Sequence, residues 1–319
     1  MMTATHERTA LIVAGPTASG KSGLAMAVAE EFDGVVINAD SMQVYNELHI
    51  VTARPSEADE ACVPHRLYGC LPASTKCSVG DWLGLAAPVI EETLAQGRLP
   101  VVTGGTGMYL KMLIEGIADV PPIPDDVRAQ VSAAYRDLGG PAFRERLMAV
   151  DPQSAARLGD GDRQRLVRAM EVFEATGRPL SAWLAAGNAS VVDGIRFVTL
   201  VIEPDREVLY EAIDRRFDAM IDAGAVDEVR EFLALGLDRD LPAMKAVGIR
   251  ELGSYLAGEL NLQSAVGAAQ QASRNYAKRQ LTWFRNQIQK DFLLNEQYSK
   301  SLNEKIFSFI RRNGLTGSM

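Results

Sequence analysis

Residues 9–22 run Thr9-Ala10-Leu11-Ile12-Val13-Ala14-Gly15-Pro16-Thr17-Ala18-Ser19-Gly20-Lys21-Ser22, an apolar stretch that stops at a glycine-rich turn closed by a lysine and a serine. The first six residues are uncharged and largely aliphatic, as in a strand buried on both faces. Residues 21–32 then carry apolar side chains at helical spacing. The turn from Gly15 to Ser22 fits G-x-x-x-x-G-K-[ST] in full. Its glycines allow a backbone path whose N–H groups converge on phosphate oxygens, and the start of the helix adds positive potential. Lys21 supplies a cation, and the Ser22 hydroxyl a ligand for a phosphate-bound Mg2+. An incidental glycine-rich turn would need neither the strand before it nor the helix after it. A phosphorylated ligand is expected here.

Two further short runs end the same way. Residues 35–38 lead into Ala39-Asp40-Ser41, and residues 99–103 (LPVVT) into Gly104-Gly105-Thr106-Gly107, with a helix expected from Met108. Strands that each close on a Gly, Asp or Ser cluster before a helical pattern indicate a parallel α/β sheet, whose ligands lie beyond the carboxyl ends of the strands. Val120-Pro121-Pro122-Ile123-Pro124 breaks the pattern as a hinge. Residues 125–187 are helical in character, residues 195–202 (IRFVTLVI) restore a long strand, and helices follow. The expected fold is α/β: a P-loop parallel sheet flanked by helices, with a helical insertion domain. The expected boundaries are 1–120 and 194–292 for the core, 121–193 for the insertion and 293–319 for a C-terminal tail.

With 47% hydrophobic and 23% charged residues, the chain has the composition of an ordinary globular protein. No segment approaches the roughly 20 apolar residues that span a bilayer, and the N-terminus makes a poor signal peptide. Three cysteines are too few for a disulfide framework at this size, which points to a reducing cytoplasm. Cys62, His65, Cys70 and Cys77 match the spacing of no common zinc site. The formal charge of −8 argues against nucleic-acid binding driven by net charge, but the charge is uneven. Residues 273–290 hold five basic side chains and no acidic one. There Ala277, Leu281, Phe284 and Ile288 form an apolar stripe, with Arg274, Lys278, Thr282 and Arg285 about 100° round the helix, a face suited to phosphate-backbone contacts. Gln164, Arg165 and Arg168 share a second polar face, opposed by a core-facing set of Leu166, Met170 and Phe173.

The phosphate loop alone leaves its ligand open. A nucleotide kinase would use Asp40 near Mg2+ and the insertion as a lid. Five further blocks narrow the choice: Asp40-Ser41-Met42-Gln43-Val44-Tyr45, Gly104-Gly105-Thr106-Gly107-Met108-Tyr109, Asp162-Arg163-Gln164-Arg165-Leu166-Val167-Arg168-Ala169, Lys245-Ala246-Val247-Gly248-Ile249-Arg250-Glu251 and Tyr276-Ala277-Lys278-Arg279-Gln280-Leu281-Thr282-Trp283-Phe284-Arg285. In this order after the loop, they resemble the tRNA dimethylallyltransferase family. One departure is Arg66, where many members carry a second histidine after the equivalent of His65.

The resemblance implies that the loop grips dimethylallyl diphosphate by its leaving group. The acceptor would be the exocyclic N6 amine of the adenosine 3′ of the anticodon in tRNA, with the target base drawn out of its stack. It also implies tRNA contacts along residues 40–43, 164–168, 245–250 and 278–285. Asp40 is the expected general base, because an adenine amine is a weak nucleophile and a carboxylate that takes its proton raises its competence; the plainer reading is a helix cap. Thr106 and Arg128 are expected to steady the departing diphosphate. Without the resemblance, Thr106 would be a cap and Arg128 a solvated charge. Trp283 is expected to pack. The expected partners are tRNA and dimethylallyl diphosphate, with no membrane; the cofactor is Mg2+ and the state a monomer. A prenyltransferase acting on free adenine nucleotides is the nearer rival, and it would need no long basic helix.

Overall fold

The computed structural model describes residues 8–315. β1 (Arg8–Ala14) runs into the phosphate loop and α1 (Lys21–Glu31), and β2 (Gly34–Asn38) follows. Next come α2 (Glu57–Cys62), the short β3 (His65–Arg66), α3 (Val79–Ala95), β4 (Leu99–Gly104) and α4 (Gly107–Glu115). A helical segment holds α5 (Asp125–Val150), α6 (Pro152–Arg157), α7 (Arg163–Thr176) and α8 (Leu180–Ala185). The chain then forms β5 (Ile195–Ile202), α9 (Arg206–Asp222), α10 (Ala225–Ala234), α11 (Ile249–Leu256), α12 (Leu262–Gln287), β6 (Phe292–Leu294) and α13 (Asn303–Arg312).

The strands make one sheet in the order β3-β2-β4-β1-β5-β6, and every neighbouring pair is parallel. Ala10 to Ala14 are fully buried, as an interior parallel strand covered on both faces requires. Parallel pairing brings the carboxyl ends of neighbouring strands to one edge. Thr103 of β4 stands level with Val13 of β1 on one side and Asn38 of β2 on the other. The turns after β1, β2 and β4 therefore leave the sheet side by side. Gly104 permits the closest approach: a Cβ there would come within 2.2 Å of the Ala39 backbone. Below this edge Trp82 of α3 is fully buried, donates from Nε1 to the Asn38 carbonyl at 2.9 Å and stacks on Tyr109.

The chain divides into two compact units. One comprises Met1–Ile114 and Val191–Met319, the other Glu115–Ser190. The smaller unit has its own core of Val131, Phe143, Leu147, Leu166 and Met170. Within it the carboxylate of Asp151 is fully buried and accepts four hydrogen bonds, from the N–H and hydroxyl groups of Ser154 (3.0 and 2.7 Å) and Ser181 (3.1 and 2.6 Å). Burial disfavours its charge, but these bonds outweigh that and hold the carboxyl below its ordinary value.

The C-terminal tail expected over 293–319 needs correction in its described part. Leu294 of β6 and Ile306, Phe309, Ile310 and Leu315 are buried in the main core against Leu11, Val28 and Val101. The spacing of Ile306, Phe309 and Ile310 is that of an amphipathic helix, and burying that face holds the segment in place. Residues 316–319 lie outside the described part.

Candidate active site

The phosphate loop turns on two left-handed residues, Ala18 (φ 63) and Gly20 (φ 89), before Lys21 opens α1. It forms one wall of a cavity of about 480 Å³ that Lys21, Ser22, Asp40, Gln43 and Arg216 also line. Burial pushes the Lys21 ammonium down to about 8; Asp40 opposes that shift and Arg216 adds to it. A dianionic ligand in the cavity would favour the protonated form again. Arg216 reaches from α9 and donates to the Thr17 hydroxyl. Its guanidinium is desolvated, which lowers its pKa, while Asp40 pulls the other way.

Asp40 is held by its own turn. Its N–H donates to Asn38 Oδ1 at 2.8 Å, and its Oδ1 accepts from the Met42 N–H at 3.0 Å. Thr106 ties the neighbouring turns together: its Oγ1 accepts from the Ser41 N–H at 2.9 Å and donates to the Ser41 hydroxyl at 3.1 Å. Gln280 of α12 does the same for the phosphate loop, accepting from the Thr17 N–H at 2.9 Å and donating to the Gly105 carbonyl at 2.9 Å. The phenol of Tyr276 lies beside Thr106 and Gln280, and burial, with the charge of Asp40, pushes its pKa well up and keeps it neutral.

A second, smaller cavity of about 70 Å³ adjoins the first through shared walls at Thr17, Asp40, Thr52 and Arg216. Its other walls are mostly apolar or aromatic, among them Met42, Val51, Phe217, Met220 and Tyr276. A cationic, hydrogen-bonding cavity thus opens beside an apolar one, and Asp40 stands where they meet.

The sequence matches the IPP transferase family over residues 43–287, and the isopentenyl transferase family over residues 8–70. The chain belongs to the tRNA dimethylallyltransferase family. It is 56% identical over 281 residues to the tRNA dimethylallyltransferase of Rhodospirillum centenum, covering 88% of this chain and 90% of that one. Its fold is similar to the crystal structure of the full-length tRNA isopentenylpyrophosphate transferase of Bacillus halodurans, with a TM-score of 0.67, 32% identity and 97% of each chain covered. A eukaryotic dimethylallyltransferase acting on tRNA has the same fold, with a TM-score of 0.82 at 23% identity over 95% of this chain and 78% of that one.

The family's sequence blocks separate into exposed and internal residues. On α12, Lys278, Arg279, Thr282 and Arg285 are exposed, whereas Gln280, Leu281 and Phe284 are buried and Trp283 packs over Gly107. The expectation that Gln280, Leu281 and Phe284 meet tRNA is corrected: the first is spent on the two turns, and the others belong to the core. Trp283, also within the stretch expected to meet tRNA, is half-buried with its ring against Gly107. The basic face is also partly neutralised. Arg285 Nε bonds Glu203 at 3.2 Å, Lys290 shares that carboxylate, and Arg274 pairs with Asp214. In the block at 245–250, Lys245 and Arg250 are exposed, while Ala246, Gly248 and Ile249 are internal and Val247 is half-buried against the apolar cavity.

In the smaller unit, Leu166 and Val167 are core residues, which corrects their expected tRNA contact. Gln164 and Arg165 are exposed, the latter 2.6 Å from Asp162. Arg168 and Arg128 lie near Glu171, whose pKa burial raises and the two arginines oppose. Arg128 Nε also donates to the Ile123 carbonyl at 3.2 Å.

Among the described residues no cluster of three or more His, Cys, Asp or Glu side chains could hold a metal ion. The cavity wall carries one carboxylate, Asp40, and hydroxyl and amide oxygens that include Ser22, Thr17, Thr52, Gln43 and Gln297. That set fits Mg2+ bound mainly through a ligand's phosphate oxygens and water. Among the described residues, no helix is long and apolar enough to cross a membrane.

Proposed function

We propose that the chain transfers the dimethylallyl group of dimethylallyl diphosphate to the N6 amine of the adenosine 3′ of the anticodon in tRNA, releasing diphosphate. The meeting of the two cavities at Asp40 carries this reading. A prenyl diphosphate has an anionic head and a short apolar tail joined at the reacting carbon. Its head suits the cavity of Lys21, Ser22 and Arg216, and its tail the cavity of Val51, Phe217 and Met220.

In the reaction, the bond between C1 of the prenyl group and the diphosphate oxygen breaks, and the oxygen keeps the electron pair. The N6 lone pair forms the new bond to C1. Asp40 accepts a hydrogen bond from the amine and then its proton. Lys21, Arg216 and the loop N–H groups hold the charge that builds on the departing oxygens. Mg2+ held through Ser22 would neutralise part of the same charge. Thr106 acts through Ser41, fixing the turn that presents Asp40, rather than as the direct diphosphate contact the resemblance implies. Lys278 and Arg279 on α12, with Lys245 and Arg250, supply cations for the RNA backbone.

The test is to incubate the protein with dimethylallyl diphosphate labelled at C1 together with tRNA, AMP or buffer alone in separate reactions, beside one with ATP. Label in tRNA only is the expected result. Label in AMP would favour a free-nucleotide prenyltransferase, and ATP turnover without prenyl transfer would favour a kinase.

A further inference from the structure

The segment joining β6 to α13, residues 295–302, crosses the phosphate loop. Gln297 donates from Nε2 to the Ala18 carbonyl at 3.1 Å, and the Tyr298 N–H donates to the Ser19 carbonyl at 3.2 Å. Gly20 leaves the space this contact needs, since a Cβ there would lie 3.0 Å from that of Tyr298, and the Tyr298 ring covers Gly23. Tyr298 is itself fixed by a 2.7 Å hydrogen bond from its hydroxyl to Asn303 Oδ1, at the start of α13. Both ends of the segment are anchored in the main core, by Leu294 on one side and Ile306 and Ile310 on the other.

The loop needs such support. Ala18 is not a glycine, yet it sits at φ 63, a conformation that costs a non-glycine residue on the order of 1 kcal/mol. In a trans peptide the C=O and the following N–H point in opposite directions. Holding the Ser19 carbonyl on the C-terminal segment therefore turns the Gly20 N–H to the other side. Gln297 also lines the large cavity together with Lys21 and Ser22.

We infer that the C-terminal segment is part of the diphosphate site, and that Gln297 is a positioning residue that holds the loop amides in their phosphate-binding arrangement. This rests on the reading of the loop as a diphosphate site. Gln297→Met keeps the side chain's length and removes its donor. Gln297→Glu keeps its shape and sets a carboxylate against the Ala18 carbonyl and the ligand. The test is calorimetric titration with inorganic diphosphate, beside KM and kcat for dimethylallyl diphosphate and the Kd for tRNA, on variants whose circular dichroism matches the wild type.

Gln297→Met should weaken diphosphate binding and raise KM about fivefold, the worth of one neutral hydrogen bond. Gln297→Glu should weaken both more, with tRNA affinity near wild type in each case. A role confined to stability would lower Tm and leave KM alone. Wild-type binding of diphosphate with unchanged binding by both variants would overturn the role of Gln297 alone. A wild type that does not bind diphosphate would overturn the reading of the loop and this inference with it.

Discussion

Lys21 keeps its charge against burial, and its pKa near 8 has a kinetic consequence. The free protein loses that charge as pH rises through about 8, so kcat/KM for dimethylallyl diphosphate should fall along an alkaline limb centred there. The limb should be absent from kcat, because bound diphosphate restores the charge. A pH series of both constants checks this. Lys21 was legible from the loop motif, and Asp40 from its place at the end of a strand. Arg216 belongs to no motif, but its helix carries a signal. Leu209, Ala212, Ile213, Phe217 and Met220 mark the buried face of α9, and Arg216 falls in the same series at i+7 from Leu209. An arginine at a core position needs an anionic or polar partner, here Thr17 and Asp40. The double use of the Gln280 side chain was beyond reach, because its partners, Thr17 and Gly105, lie far away in sequence.

The apolar stripe of α12 follows the sequence pattern, with Ala277, Leu281, Phe284 and Ile288 all buried. Its charge does not, because the acidic partners Asp214 and Glu203 come from other parts of the chain. Replacing Lys278 and Arg279 by Ala should therefore weaken tRNA binding and flatten the slope of log K against log salt by roughly 1.4–1.8, two phosphate contacts' worth of counterions. Arg285→Ala should change the slope less, since Glu203 already neutralises that arginine. tRNA binding across a salt series distinguishes the two. In the smaller unit, Asp151 links α6 and α8. Asp151→Asn sets amide protons against hydroxyl and N–H donors, and should cost about 3 kcal/mol, measured by urea unfolding. Because the folded pKa lies below the ordinary 3.8, the stability from this carboxylate is fully present above that value. It is lost as pH falls through the folded pKa, and the variant should lack that acid dependence.

At the scale of the whole molecule, three turns from adjacent parallel strands make one site, and segments distant in sequence complete it. The strand–turn–helix units were legible because each is local. The order β2-β4-β1-β5 was not, since sheet order is set by which strands pair. Nor was the place of β6 and α13, since a short amphipathic helix after a long basic one carries no mark of where it docks. In the proposed function the chemistry turns on one carboxylate, Asp40, at the meeting of a cationic and an apolar cavity. Single-turnover transfer of labelled prenyl group to tRNA, by the wild type and Asp40→Asn, tests that directly. The variant should bind both substrates as the wild type does and transfer the label ~10²–10⁴-fold more slowly. Transfer at the wild-type rate by Asp40→Asn would contradict the account.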